Sequence, residues 1–307
     1  MNKPYGRALA LALVALVGFG CSSEGDDGPA DVPRLLTVAS PQFEVKAGQE
    51  ITKCVDFRLP TEKASNIVKI KSTLAAGSHH LILYRSAEAV EKPTPYTCSP
   101  FTGALNGTLP IYIAQTEGTT IELPQTPKRV ALKLLAGQMV RLEMHYVNYD
   151  TTKSIMGSGS VELTTIDDLM VDEYAELMFW GSTQINVPPM QEATVGPTWH
   201  APPPGTTLLA LTAHTHKYGI DFRVERAEKD MPGTEIYATQ DWDNPPFLQF
   251  TPELKLGPTE GLRWSCKYRN TTSRTIRFGE SADQEMCFLW GFYYPSRGFL
   301  AFVDYQP

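Results

Sequence analysis

From about Thr37 to its end, the chain is written in short runs broken by Pro, Gly, Asn and Asp. Some runs alternate and others are wholly apolar: Ile67-Val68-Lys69-Ile70, Leu81-Ile82-Leu83-Tyr84, Val130-Ala131-Leu132-Lys133-Leu134-Leu135 and Met139-Val140-Arg141-Leu142-Glu143-Met144. A period of two sends successive side chains to opposite faces, which suits strands and not helices. Only Ile166 to Met178 admits a helix, and it reads equally well as a loop followed by a strand. Many short strands separated by turn residues predict an all-β chain built from antiparallel β-sandwiches. A length of 307 residues suggests two such units. The composition turns proline-rich from Ile185-Asn186-Val187-Pro188-Pro189 to Pro202-Pro203-Pro204-Gly205, which puts a boundary near residue 180. The predicted domains are residues 37–180 and 181–307. No internal repeat is visible by eye.

The first twenty residues read as an export signal. Lys3 and Arg7 precede an apolar core from Ala8 to Phe19, too short for a comfortable membrane span, and then Gly20-Cys21. Gly20-Cys21-Ser22-Ser23 resembles the lipobox of bacterial lipoproteins, with Gly18 where leucine is usual, so Cys21 is the candidate lipidation site. Residues 21–36, acidic and rich in small residues, suit a flexible tether. Ser22 after the cysteine favours the outer membrane. The formal net charge is −7, and loss of Lys3 and Arg7 with the signal takes it to about −9 (−7 − 2). A chain so acidic is a poor match to a polyphosphate, so no nucleic-acid partner is expected.

Outside the cytosol, the four remaining cysteines, Cys54, Cys98, Cys266 and Cys287, are expected in two disulfides. Three pairings are open. The local one, Cys54 with Cys98 and Cys266 with Cys287, keeps one bridge in each half.

Five of the six histidines fall in three short motifs. His214-Thr215-His216 follows an apolar run and precedes alternating residues, so both imidazoles point to one face of a strand, about 6.6–6.8 Å apart along the chain. At that spacing two rings can converge on one metal ion. His79-His80 is an adjacent pair, which alternation would split between faces. Sharing a metal there needs a bulge or a strand end, and the preceding Gly77-Ser78 suits one. His145 stands alone after a Gly137-Gln138 turn. The sixth, His200, is assigned to a loop and left out of the ligand set. Met286, between Glu285 and Cys287, offers a thioether, a soft ligand that suits Cu(I), whereas imidazole suits both copper oxidation states. Three imidazoles in the first half, and two with a thioether in the second, would make two copper sites.

The ordered set His79-His80, His145-Tyr146, His214-Thr215-His216 and Glu285-Met286-Cys287 resembles the copper type II, ascorbate-dependent monooxygenases, the family of peptidylglycine α-hydroxylating monooxygenase and dopamine β-monooxygenase. The cysteines fit that family's framework as well, and the resemblance covers roughly residues 40–296. It implies two antiparallel β-sandwich, jelly-roll-like domains facing each other across an open, solvent-filled cleft, with one copper each. His79, His80 and His145 would hold the copper that delivers an electron. His214, His216 and Met286 would hold the oxygen-binding copper, beside which a substrate C–H bond becomes C–OH. The implied co-substrates are O2 and ascorbate or a similar reductant, and the electron donor to this chain is unknown. The resemblance also implies disulfides Cys54–Cys98 and Cys266–Cys287.

The chain departs from the peptide-amidating members at three positions. Thr212 stands where they carry an arginine, Phe288 where they carry an asparagine, and Trp290 where they carry a tyrosine. These substitutions remove anchors for a peptide carboxylate and make Thr212, Phe288 and Trp290 candidates for a pocket that takes a small, neutral or aromatic molecule. Glu143, where glutamine is frequent in the family, is a candidate to support a ligand from behind. The competing reading is a copper-binding envelope lipoprotein that sequesters metal or transfers electrons without oxygenase activity. A third is a structural sandwich with incidental histidines, which the complete ligand set argues against. There is no nucleophile elbow, phosphate-binding glycine loop or Cys-x-x-Cys pair to suggest hydrolase or nucleotide chemistry.

Overall fold

The computed structural model describes residues 32–101 and 107–305. The signal segment, Cys21 and all of the tether before residue 32 lie outside the described residues. Among the described residues there are strands and one 3-10 turn, and no α-helix. The fold is an all-β sandwich, as the alternating runs predict. The ambiguous stretch from Ile166 resolves as that 3-10 turn, Asp168–Met170, followed by the strand Glu173–Ser182.

One long sheet runs through the molecule. Its order is Arg34–Ala39, Gly159–Asp167, Ser65–Leu74, Val130–Leu132, Glu173–Ser182, Cys287–Tyr294, Thr207–His214 and Leu248–Lys255. A five-stranded sheet, in order Lys92–Thr97, Glu50–Arg58, Met139–Val147, Ser78–Arg85 and Leu109–Ala114, packs on one part of it. A four-stranded sheet of Glu192–His200, Glu260–Arg269, Gly219–Glu228 and Thr234–Thr239 packs on another. The alternation of each strand supplies the two cores: Val55, Leu81, Leu83, Val140 and Leu142 meet Ile67, Ile70 and Leu163 in one, and Phe222, Val224, Leu262 and Trp264 meet Leu211 and Leu289 in the other. The strand Glu173–Ser182 serves both, with Leu177 in the first core and Met178 and Trp180 in the second.

Both disulfides form with the local pairing, Cys54–Cys98 and Cys266–Cys287, each at a Cα separation of 5.9 Å. The second staples the four-stranded sheet to the long one. Closing loops of this size limits the unfolded chain by about 3–4 kcal/mol each in the chain-entropy account.

The halves also share a duplicated corner that the linear sequence hides. Val45-Lys46-Ala47-Gly48-Gln49-Glu50-Ile51-Thr52 corresponds to Val187-Pro188-Pro189-Met190-Gln191-Glu192-Ala193-Thr194. Gly48 and Met190 take left-handed backbone, φ 67° and 57°. The Asn148 amide donates to the carbonyls of Val45, Lys46 and Lys153; Asn270 does the same to Val187, Pro188 and Arg274. Asn148 N–H reaches the Gln49 carbonyl, and Asn270 N–H the Gln191 carbonyl, both at 2.9 Å.

Candidate metal centre

The histidine pair sits at the bulge it requires. On Met139–Val147, His145 faces His80 while Tyr146 faces Ser78, leaving His79 as the extra residue between them. Gly77 before it holds φ at 84°, a conformation glycine adopts without strain. The bulge turns both imidazoles to the side on which His145 lies. Ring centroids are 5.4 Å apart for His79 and His80, 4.9 Å for His80 and His145, and 5.3 Å for His79 and His145.

His214 ends the strand Thr207–His214 opposite Phe288, and His216 follows in the turn before Gly219–Glu228. The turn is tight: a Cβ on Gly219 would meet Thr215 Oγ1 at 2.3 Å. The Glu285 carboxylate fastens it by accepting from the backbone N–H of His216 at 2.8 Å and of Tyr218 at 2.7 Å. That tie carries the next residue, buried Met286, to the histidine turn, and the Tyr268 hydroxyl donates to the Met286 carbonyl at 2.6 Å.

The resemblance implies an open cleft between these two groups. At the ligands the halves instead meet ring to ring. His79 lies 5.1 Å from His214 and 5.0 Å from His216, centroid to centroid. His79, His80 and His145 bring one ligand nitrogen each within 4.8 Å of one another, and so do His79, His214 and His216. His79 therefore belongs to both triads. Two side chains of the first half close the gap. Gln115 accepts at Oε1 from His214 Nδ1 at 2.5 Å and donates from Nε2 to the Ala213 carbonyl at 2.8 Å. Glu50 accepts from His145 Nε2 at 3.0 Å and from the Ser281 hydroxyl and Ala282 N–H, both at 2.9 Å.

These hydrogen bonds fix which nitrogen is free on three of the rings, His145, His214 and His216. A carbonyl or carboxylate only accepts, so His145 carries its proton on Nε2 and His216, bonded to the Gln284 carbonyl at 3.1 Å, on Nδ1. Among the described residues, His79 Nε2, His145 Nδ1, His214 Nε2 and both nitrogens of His80 are buried without a hydrogen-bond partner. A buried polar nitrogen left so costs about 1–3 kcal/mol. Several converging on one spot fit a metal that takes imidazole, and a thioether ligand such as Met286 would favour copper.

The protonation states agree. Burial, and then the neighbouring imidazoles, hold His79, His80 and His214 well below the usual histidine range. Burial brings His216 down to about 4, against an opposing hydrogen bond to Gln284. Neutral rings keep their lone pairs for a metal. Glu143 lies behind His80, with Oε1 3.6 Å from His80 Nε2, and takes the Tyr84 hydroxyl at 2.8 Å. Burial lifts Glu143 to about 7, and Glu285 likewise. Burial also raises Glu50, but its bonds from His145, Ala282 and Ser281 outweigh that and hold it at about 2.

The candidate pocket wall is enclosed. Thr212, Phe288 and Trp290 are 2%, 4% and 1% exposed. The Thr212 hydroxyl donates to the Pro246 carbonyl, and Phe288 and Trp290 stack against Phe179. A cavity of about 350 Å³ does reach His79, and its other walls include Ser78, Gln115, Glu117, Tyr149 and Asp243. His200 stands at the end of the strand Glu192–His200 rather than in a loop, stacked on Phe302 at 3.9 Å and apart from both triads. Sequence reasoning missed Gln115 and Glu50. Gln115 has no local mark, whereas Glu50 sits in Gln-Glu-x-Thr, which recurs at Gln191 and was the available signal.

Residues 176–301 match the family model of the copper type II ascorbate-dependent monooxygenase, C-terminal domain. The match takes in His214, His216 and Met286. Among solved structures, the major capsid protein P2 from bacteriophage PM2 aligns over 86% of this chain and 99% of its own, at 8% identity and TM-score 0.36. The ANXUR2 extracellular domain from Arabidopsis thaliana aligns over 89% and 92%, at 9% identity and TM-score 0.23. Neither bears on function.

Proposed function

We propose, for a chain whose residues 176–301 belong to the copper type II ascorbate-dependent monooxygenases, that the whole chain is a two-copper monooxygenase acting on a small organic molecule. The observation that carries this reading is the pair of imidazole triads whose free nitrogens converge from both halves. His79, His80 and His145 would hold the electron-delivering copper, and His214, His216 and Met286 the other. Copper and a reductant such as ascorbate supply the oxygen chemistry, by which R–H, O2, two electrons and two protons become R–OH and water.

The chain's own residues set the conditions. His145 and His216 present a single nitrogen each, because Glu50 and the Gln284 carbonyl hold the other. Glu143 backs His80 with a carboxyl that sits near neutrality, and so accepts or releases a proton at Oε1 at little cost. Glu285 keeps the His216 turn against Met286. Phe179, Phe288 and Trp290 make a dry wall beside His214. The cavity at His79 gives small molecules access.

The two disulfides support an exported protein, outside the reducing cytosol. Lipidation at Cys21 would anchor it in the bacterial envelope, as the lipobox-like motif suggests. One observation favours the second reading, copper binding or electron transfer without oxygenation: Thr212, Phe288 and Trp290 are packed away and do not line the cavity at His79. Copper analysis and oxygen uptake separate the two. Two coppers per chain, one with a sulfur neighbour lost in Met286→Ala, together with ascorbate-driven, substrate-dependent oxygen consumption, support the oxygenase. Two coppers with no substrate-dependent uptake leave the carrier, and binding well below two removes both.

A further inference from the structure

The second-half metal site borrows a residue from the first half. Gln115 follows the strand Leu109–Ala114, yet its amide is spent wholly on the segment that carries His214. The Ala213 carbonyl can only accept, so the Gln115 nitrogen faces it, and the oxygen is left for His214 Nδ1. That nitrogen must therefore carry the proton, and Nε2, buried and without a partner, keeps its lone pair. Free histidine has no such preference for the Nδ1–H form, and among the described residues no other hydrogen bond to either nitrogen of His214 is present.

We propose that Gln115 is a positioning residue for the second copper site, holding His214 in the tautomer and orientation that present Nε2 to the metal across the junction of the two halves. The proposal rests on His214 being a ligand, as read above, but not on any oxygenase activity. One consequence is specific to a residue that bridges halves. A change in the first half, far along the chain from the second-half ligands, weakens the second site while the first keeps its own supports, Glu50 on His145 and Glu143 behind His80. A glutamine that merely filled space would be replaced by methionine, of similar length, without effect on tautomer or metal.

The test uses metal-free full-length mature protein labelled with nitrogen-15, read by long-range proton–nitrogen correlation of the histidine rings. In the native chain His214 should be in the Nδ1–H form. In Gln115→Met it should shift toward the Nε2–H form or a mixture. Orienting partners of ligating histidines are worth about 10–100-fold in metal affinity. Competition for Cu(I) with a chelator should show a loss of that size at the site with the sulfur neighbour, and less than about threefold at the other. A native His214 in the Nε2–H form overturns the proposal, and so does a folded Gln115→Met chain with unchanged tautomer and affinity. If Gln115→Met fails to fold, the native tautomer decides alone. Failure of oxygen uptake would sink the oxygenase and leave these outcomes standing.

Discussion

The strand end His145-Tyr146-Val147-Asn148 and the strand end Lys267-Tyr268-Arg269-Asn270 are the same piece of structure used twice. Each closes on its asparagine, which ties three carbonyls. Each runs beside a bulged strand: Ser78, His79, His80 in one case and Gly219, Ile220, Asp221 in the other, with the middle residue unpaired. Each faces a glutamate at the same place. In the first half Glu50 meets His145; in the second Glu192 meets Lys267 at 2.6 Å and Arg269 at 2.8 Å. The same pattern of pairing and hydrogen bonds thus carries a buried imidazole triad in one half and solvated ion pairs in the other. The second half draws its candidate ligands from elsewhere, from the His214–His216 turn and from Met286. A metal site here is a property of a few side chains placed on a scaffold, not of the scaffold.

The largest expected effect comes from breaking the one residue common to both triads. His79→Ala should weaken copper at the first site, where it would be a ligand, by more than about 100-fold, and at the second, whose rings it adjoins, by about 10-fold. His145→Ala should weaken only the first. Chelator competition on each variant checks this, and a His79→Ala chain with one unaffected site would assign His79 to a single triad. The two asparagines probe the scaffold itself. Replacing Asn148 or Asn270 with alanine strips the donor from three carbonyls and should cost about 2–3 kcal/mol in either half. Urea unfolding measures it, and unequal losses would mean that the corners match in shape but not in energy.

Acid should next distinguish the junction, where both halves contribute rings, from strands remote from it. His79, His80, His214 and His216 have lowered pKa values in the fold, so below about pH 6.5 the unfolded chain binds protons that the metal-free native chain refuses. Stability from these rings is complete above that pH and drains away as the pH falls toward the His216 value of about 4. Amide exchange should rise first around Ser78–Arg85, with Thr234–Thr239, which adjoins none of these rings, opening later. Simultaneous opening would show that the ring cluster does not open ahead of the rest of the fold. The smallest effect is a gain. Ile220→His with Asp221→His and Lys267→His copies the first triad onto the second corner. It should add one weak metal ion per chain, on the order of micromolar affinity, because the supporting residues there are not built for it. Isothermal titration with zinc would show no third ion if the corners differ more than their hydrogen bonds suggest.

Much of this was written locally and could be read locally. A period of two names strands wherever one face is buried, and four cysteines outside the cytosol name two bridges, with the pairing implied by the resemblance and formed in the fold. Residue chemistry marks His79, His80, His145, His214, His216 and Met286 as candidate ligands, and the resemblance to the copper monooxygenases joins them into one set. The tertiary structure decided the rest. It selected which nitrogen His145 and His214 leave free, since their partners are Glu50 and Gln115, 95 and 99 residues away. It placed His79 in both triads, and it packed Thr212, Phe288 and Trp290 against Phe179 and Pro246 rather than along an open wall. It also revealed the duplicated corner, where little more than Val-x3-Gln-Glu-x-Thr and Tyr-x-Asn survives in the letters. Alternation and ligand type are properties of neighbours in sequence. A tautomer, a shared ring and a buried wall depend on which distant backbone comes to lie opposite, and no short window of the chain holds that.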